Sequence, residues 1–150
     1  MNKVIKKRKN IALVGHDNMK TELLEWVKFN KGTLAKHNLF ATGTTGTLIE
    51  EALDIHINKM QSGPLGGDMQ LGALIAEGKI DFMIFFWDPL EAQPHDPDIK
   101  ALLRIAAVWN IPLASNRSTA DFLISSHLMN KDYIRKIADY ESYKNRFDKQ

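Results

Sequence analysis

Ile80-Asp81-Phe82-Met83-Ile84-Phe85-Phe86-Trp87 is an apolar run broken only by Asp81. Its aromatic and β-branched content reads as a strand buried on both faces, a pattern of parallel sheets covered by helices on each side. Downstream comes a loop rich in Pro and Asp, from Asp88-Pro89 to His95-Asp96-Pro97-Asp98. Ile99, Leu102, Leu103, Ala106 and Trp109 then follow at helical spacing. Upstream, Ile11-Ala12-Leu13-Val14 is a shorter buried run ended by Gly15. Behind it Met19, Leu23, Trp26 and Val27 take helical spacing, with Asn18 as the expected N-cap. Leu39-Phe40-Ala41-Thr42 and Ile111-Pro112-Leu113-Ala114 repeat the strand pattern, and Thr33 is expected to cap a short helical turn between the first two strands. Further helices are expected at 48–53, at 71–76 with Gly78 at its C′ position, and at 118–124. An edge strand is expected at 55–57 and another at 133–137, followed by a charged helix at 140–147. Strands alternating with amphipathic helices predict an α/β fold: a single-domain three-layer α/β/α arrangement with a mostly parallel open sheet of about five strands.

The 150 residues suit one domain with one core, without disulfide or metal staples. Twenty basic against 18 acidic residues leave the chain nearly balanced, and the basic excess sits in Lys3, Lys6, Lys7, Arg8 and Lys9. Residues 1–10 are therefore read as a flexible, solvated basic arm and 11–150 as the domain. Neither a nucleic-acid face nor a membrane span is indicated. The apolar run behind the arm is too short for a signal peptide, and the absence of cysteine fits a reducing cytoplasm.

In parallel sheets of this kind ligands bind beyond the carboxyl ends of the strands, and every polar motif of the chain follows a strand. Ser62-Gly63-Pro64-Leu65-Gly66-Gly67-Asp68-Met69-Gln70 joins a glycine loop, whose N–H groups can approach an anion, to one carboxylate at the start of a helix. Thr42, Gly43, Thr44, Thr45, Ser62, Gly63 and Lys20 together make a phosphate cradle, with His16 and Asp17 in the loop after the first strand. His95 and Asp98 are three apart, so the carboxylate could fix one ring nitrogen and leave the other to face a ligand. Asp68, Asp17 and Asp98 could then share one site, where like charges and partial burial would raise the pKa of at least one carboxylate towards the range of a general base. Each residue also has a plain structural role open to it: Asp68 and Asp98 as helix caps, the Thr and Ser residues as turn formers, Lys20 as the partner of Asp17. His37, His56 and His127 lack companion motifs and read as surface or packing residues. No Walker loop, GxGxxG, HExxH or EF-hand spacing is present, so neither a nucleotide nor a metal is the favoured ligand.

The ordered set Ile11-Ala12-Leu13-Val14-Gly15-His16-Asp17, Ala41-Thr42-Gly43-Thr44-Thr45-Gly46, Gln61 through Gln70, Phe85-Phe86-Trp87-Asp88-Pro89-Leu90, Pro94-His95-Asp96-Pro97-Asp98 and Val108-Trp109-Asn110-Ile111-Pro112 resembles the methylglyoxal synthase family over nearly the whole chain. The resemblance implies a lyase that converts dihydroxyacetone phosphate to methylglyoxal and inorganic phosphate, without metal or organic cofactor, as a cytoplasmic homohexamer. Under it Asp68 is the catalytic proton acceptor and donor, His95 polarises and relays protons between substrate oxygens, and Asp98 orients His95. His16, Lys20, Thr42, Gly43, Thr44, Thr45, Ser62 and Gly63 contact substrate and phosphate, with Asp17 lining the same pocket. One feature departs from the family: its carboxyl-terminal Arg has no counterpart in register, since Arg146 stands one position away and Phe147 occupies the place. Two other readings fit parts of the pattern, a sugar-phosphate isomerase and a non-catalytic phosphometabolite-binding module. The latter has no need of Asp68 or His95.

Overall fold

The structure, a computed structural model, describes residues 1–147. In chain order the elements are β1 (Asn2–Ile5), β2 (Asn10–Gly15), α1 (Lys20–Phe29), α2 (Lys31–Leu34), β3 (Asn38–Ala41), α3 (Gly43–Leu53), β4 (Asn58–Lys59), α4 (Gly67–Ala76), β5 (Phe82–Phe86), α5 (Asp96–Val108), β6 (Leu113–Ala114), α6 (Arg117–Ile124), β7 (Tyr133–Lys136) and α7 (Glu141–Lys144). Short 3-10 turns lie at Asp17–Met19, Gly63–Leu65, His127–Asn130 and Asn145–Phe147.

Five strands form a parallel sheet in the order β4-β3-β2-β5-β6. The chain starts at β2, steps outward through β3 and β4, then crosses to the other side of β2 for β5 and β6. That reversal opens a crevice beyond the carboxyl ends of β2 and β5, where Gly15 pairs with Phe86.

The buried runs of β2 and β5 divide by alternation between two cores. Ile11, Leu13, Phe82, Ile84 and Phe86 meet Leu23, Trp26 and Val27 of α1, Ile49 and Leu53 of α3 and Ala120 of α6. Ala12, Val14, Met83 and Phe85 meet Leu71 and Ile75 of α4 and Ile99, Leu102 and Ala106 of α5. Trp26 carries its one polar atom out to the Asp121 carboxylate at 2.9 Å, so no donor is stranded in the first core. With a helix layer on each face, the predicted three-layer architecture is the observed one.

Several local expectations differ from the structure. The basic segment is not a solvated arm: β1 pairs antiparallel with β7, Ile5 is buried, and the Lys9 ammonium is held by the carbonyls of Lys6 and Lys131. The basic composition hides a short strand whose partner lies more than a hundred residues on. Asn18 does not cap α1; it lies in the 3-10 turn and donates its side-chain amide to Asp88 and Glu91. Thr33 sits inside α2 rather than at its cap. Helix α3 begins at Gly43 instead of 48, so the Thr/Gly loop is its first turn. Residues 55–57 precede the strand β4 rather than forming it, and Ile57 is buried. Gly78 has φ 74°, the left-handed conformation expected of a residue just past a helix.

Candidate active site

The loops that leave β2, β3, β4 and β5 at their carboxyl ends surround one cavity of about 210 Å³, lined by residues that include His16, Asp17, Lys20, Thr42, Thr44, Thr45, Ser62, Gly63, Asp68, Gln93 and His95. Helices α3, α4 and α5 each start at this crevice, so their first-turn N–H groups and positive dipole ends converge on it. Lys20 adds a full positive charge. The arrangement suits an anionic ligand.

His16 follows β2 directly and its N–H bonds to the Phe86 carbonyl at 3.2 Å, which locks the loop to the end of β5. The backbone N–H of Asp88 donates to its Nδ1 at 3.1 Å, so the neutral ring carries its proton on Nε2. That Nε2 is buried without a partner, a donor left for a ligand oxygen. Burial, with His95 beside it, lowers the pKa of His16 and keeps it neutral. The two imidazoles meet edge to face at 5.8 Å.

Lys20 pairs with the exposed carboxylate of Asp17, whose pKa falls because of that bond. Thr42 occupies the N-cap position of α3 without a side-chain cap bond, and both it and Thr45 are buried. The Thr45 hydroxyl reaches the Gly15 carbonyl at 3.5 Å, a long contact that a ligand oxygen could replace. Gly43 does not line the cavity: its N–H is taken by the Gln61 carbonyl at 3.2 Å.

The glycine loop has a strict steric logic. A Cβ on Gly67 would lie 1.9 Å from the Gln61 carbonyl oxygen, so only glycine lets the loop fold over the start of α4. Gly66 takes φ 101°, and the Gln70 side chain ties back to the Gln61 N–H at 2.7 Å. The folded loop delivers Asp68 into the first turn of α4, 2% exposed, with Oδ2 lacking any hydrogen bond. Burial raises the pKa of Asp68; the nearby His95 partly offsets this and Asp98 adds to it.

His95 stands at the N-cap position of α5, and its Nε2 lies 3.4 Å from Asp68 Oδ2. The expected hydrogen bond from this ring to the Asp98 carboxylate is not formed. His95 Nδ1 is buried and unpartnered, while the Asp98 backbone N–H bonds to the His95 carbonyl at 2.9 Å. With His95 at the cap, its carbonyl takes up the helix-start N–H groups and its ring turns into the cavity towards Asp68. Asp98 does not line that cavity, and it does not cap α5, which starts at Asp96. His37, His56 and His127 are likewise absent from the lining.

One contributor was not legible in advance: Gln93 lines the cavity from an irregular loop with no motif of its own, and its position in the loop after β5 was the one available signal. Asp88, in the same loop, acts through its backbone N–H on His16. Among the described residues, no three His, Cys, Asp or Glu side chains are grouped so as to hold a metal ion. No helix among them is long and apolar enough to cross a membrane.

The site can thus bind a small phosphorylated molecule at the helix starts and hold a proton acceptor and an imidazole on one of its faces. Comparison with known proteins points the same way. The family described as MGS-like domain matches residues 22–115. The methylglyoxal synthase of Coxiella burnetii strain RSA 493 is 60% identical over 138 residues, 92% of this chain and 96% of its own length. That of Proteus mirabilis is 62% identical over 135 residues, 90% of this chain and 89% of its own. The crystal structure of methylglyoxal synthase from Elizabethkingia anophelis superposes with a TM-score of 0.93 at 53% identity, covering 97% of this chain and 96% of that one. Such likeness over nearly the full length places the chain in the methylglyoxal synthase family.

Proposed function

We propose that the protein converts dihydroxyacetone phosphate to methylglyoxal and inorganic phosphate, with Asp68 as general base and His95 as electrophile and proton relay. The observation that carries this reading is the buried, unpartnered Asp68 Oδ2 placed 3.4 Å from His95 Nε2 at the edge of the anion-binding cavity. A carboxylate kept out of water and free of hydrogen bonds is a stronger base than an exposed one.

In this mechanism the phosphate sits at the start of α3 and the loop Ser62-Gly63, beside Lys20. Asp68 takes a proton from the hydroxyl-bearing carbon, and the C–H electron pair forms the enediolate. His95, together with the Nε2–H of His16, donates to the oxygens on which negative charge develops. Collapse of the enediolate breaks the C–O bond to phosphate, which leaves with that electron pair. The enol that remains takes up a proton at its methylene carbon to become methylglyoxal. Asp98, which lies off the cavity, acts through its charge on Asp68. Gly43 contributes by closing the loop against Gln61.

The same reading makes the active form a cytoplasmic homohexamer that needs no cofactor. Support comes from the absence of cysteine and from a cavity that already supplies positive potential through Lys20 and three helix starts. The test is turnover after exhaustive chelation: activity is expected to persist in full. Loss of activity restored by a stoichiometric divalent ion would overturn the metal-free assignment.

A further inference from the structure

The β1–β7 ribbon sets two cations face to face. Along β7, Tyr133, Ile134 and Lys136 are exposed while Arg135 is 1% exposed, so the inward position belongs to a guanidinium instead of an apolar side chain. Its Nε and Nη1 are buried without any hydrogen-bond partner, and no carboxylate among the described residues is within ion-pair distance. The register places Lys3 directly opposite Arg135. Like charges across an antiparallel pair repel, and the carboxylate that acts on Arg135, Asp81, does so from beyond ion-pair distance and offsets only part of the cost of burying the guanidinium.

Both side chains border a cavity of about 180 Å³, walled by Met1, Glu77, Trp109 and Ile137. Lys3 Nζ donates to the Gly78 carbonyl at 2.9 Å, so the carbonyl end of α4 is already answered and does not confront a ligand bare. Glu77 is engaged by Lys79 at 2.7 Å. Trp109 is held edge to face against Tyr140 at 5.7 Å, which fixes one wall. The cavity adjoins the end of α4, whereas Asp68 is in its first turn; eight residues of helix separate the two by about 12 Å. It is therefore not an extension of the catalytic pocket.

We propose that this cavity is a second anion site, in which Arg135 and Lys3 bind a small oxyanion, either inorganic phosphate or a carboxylate. Water could meet the free N–H groups of Arg135 but could not supply the negative charge that the more distant Asp81 only partly provides. An oxyanion does both.

The test is calorimetric titration of wild-type protein, Arg135→Leu and Lys20→Ala with inorganic phosphate, with acetate titrated into wild type and Arg135→Leu. Two phosphates per chain for the wild type and one for each variant support a phosphate site at Arg135. One phosphate per chain in the wild type, with acetate binding that Arg135→Leu abolishes, supports a carboxylate site. Equal phosphate stoichiometry in wild type and Arg135→Leu, with no Arg135-dependent acetate binding, overturns the proposal. Should Arg135→Leu fail to fold, crystals of the unmodified protein soaked in tungstate and in bromoacetate decide the matter. Heavy-atom density at Arg135 supports the site, and water alone there overturns it.

Discussion

Asp68 Oδ2 and His95 Nε2 face each other at 3.4 Å in the lining of the cavity, wider than a good hydrogen bond and close enough for both to touch one small substrate. The gap follows from two helix starts: α4 presents Asp68 in its first turn, and α5 presents His95 at its N-cap. Neither side chain is saturated by the other, which leaves each available to a reacting molecule.

Replacing Asp68 by Asn keeps the shape and removes the base. Turnover is expected to fall by about 10²- to 10⁴-fold while phosphate affinity stays near that of the wild type. Steady-state kinetics with phosphate as inhibitor measure both. The same change removes a carboxylate whose pKa is raised in the folded state, so it should also raise the melting temperature at neutral pH.

The pH dependence has a definite sign. Asp68 must be ionised to accept a proton, and burial raises its pKa above the ordinary 3.8. The acid limb of kcat/KM is therefore expected to lie above that of a solvent-exposed Asp, with activity lost as pH falls through the raised value. For stability the same group works in reverse: the folded state binds this proton more tightly, so its contribution improves as pH falls through the window between the raised value and 3.8. A pH series of kcat/KM and of melting temperature separates the two effects.

His37 gives an opposing term away from the site. Its Nδ1 accepts from the Lys9 N–H at 3.0 Å, and burial lowers its pKa to about 4. The unfolded chain binds this proton near pH 6.5 and the folded one does not, so stability is full above 6.5 and declines as pH falls towards 4. His37→Gln is expected to flatten that part of the melting-temperature profile without altering kcat.

Gly63 is a test of positioning. A Cβ there would lie 2.8 Å from His95 Nε2 and 3.5 Å from Asp68 Oδ2, so Gly63→Ala must displace the imidazole or the loop. A misplacement on the order of 1 Å costs about 10²-fold in rate. We expect kcat to fall by about that factor with little change in melting temperature. Unchanged kcat would mean that the His95–Asp68 spacing does not control the reaction.

Lys20→Ala and Thr45→Val should each raise the KM for substrate and weaken inhibition by phosphate in parallel, because both ligands use the same cradle. A change in one without the other would separate the two sites.

The sheet and the site differ in how much of them local sequence carries. Buried strands such as 82–86 announce themselves by composition, and the polar motifs after them mark where ligands must go. Asp68 was legible because glycines and a carboxylate at a helix start form a contiguous signal. The pairing of β1 with β7 was not, since it joins Val4 to Ile134 and neither segment is strongly apolar alone. The supposed His95–Asp98 contact failed for a local reason: spacing along a helix start gives proximity, but the cap residue turns its ring away from its own helix. The contact that forms instead, with Asp68, links α5 to α4 and could be read only from the packed fold.

The account is tested most directly by incubating purified protein with dihydroxyacetone phosphate and following methylglyoxal and free phosphate together, with Asp68→Asn alongside. It predicts that the wild type releases the two products in equal amounts and that the variant releases each at a rate lower by about 10²- to 10⁴-fold. Interconversion of triose phosphates without phosphate release, or products formed at wild-type rate by the variant, would contradict it.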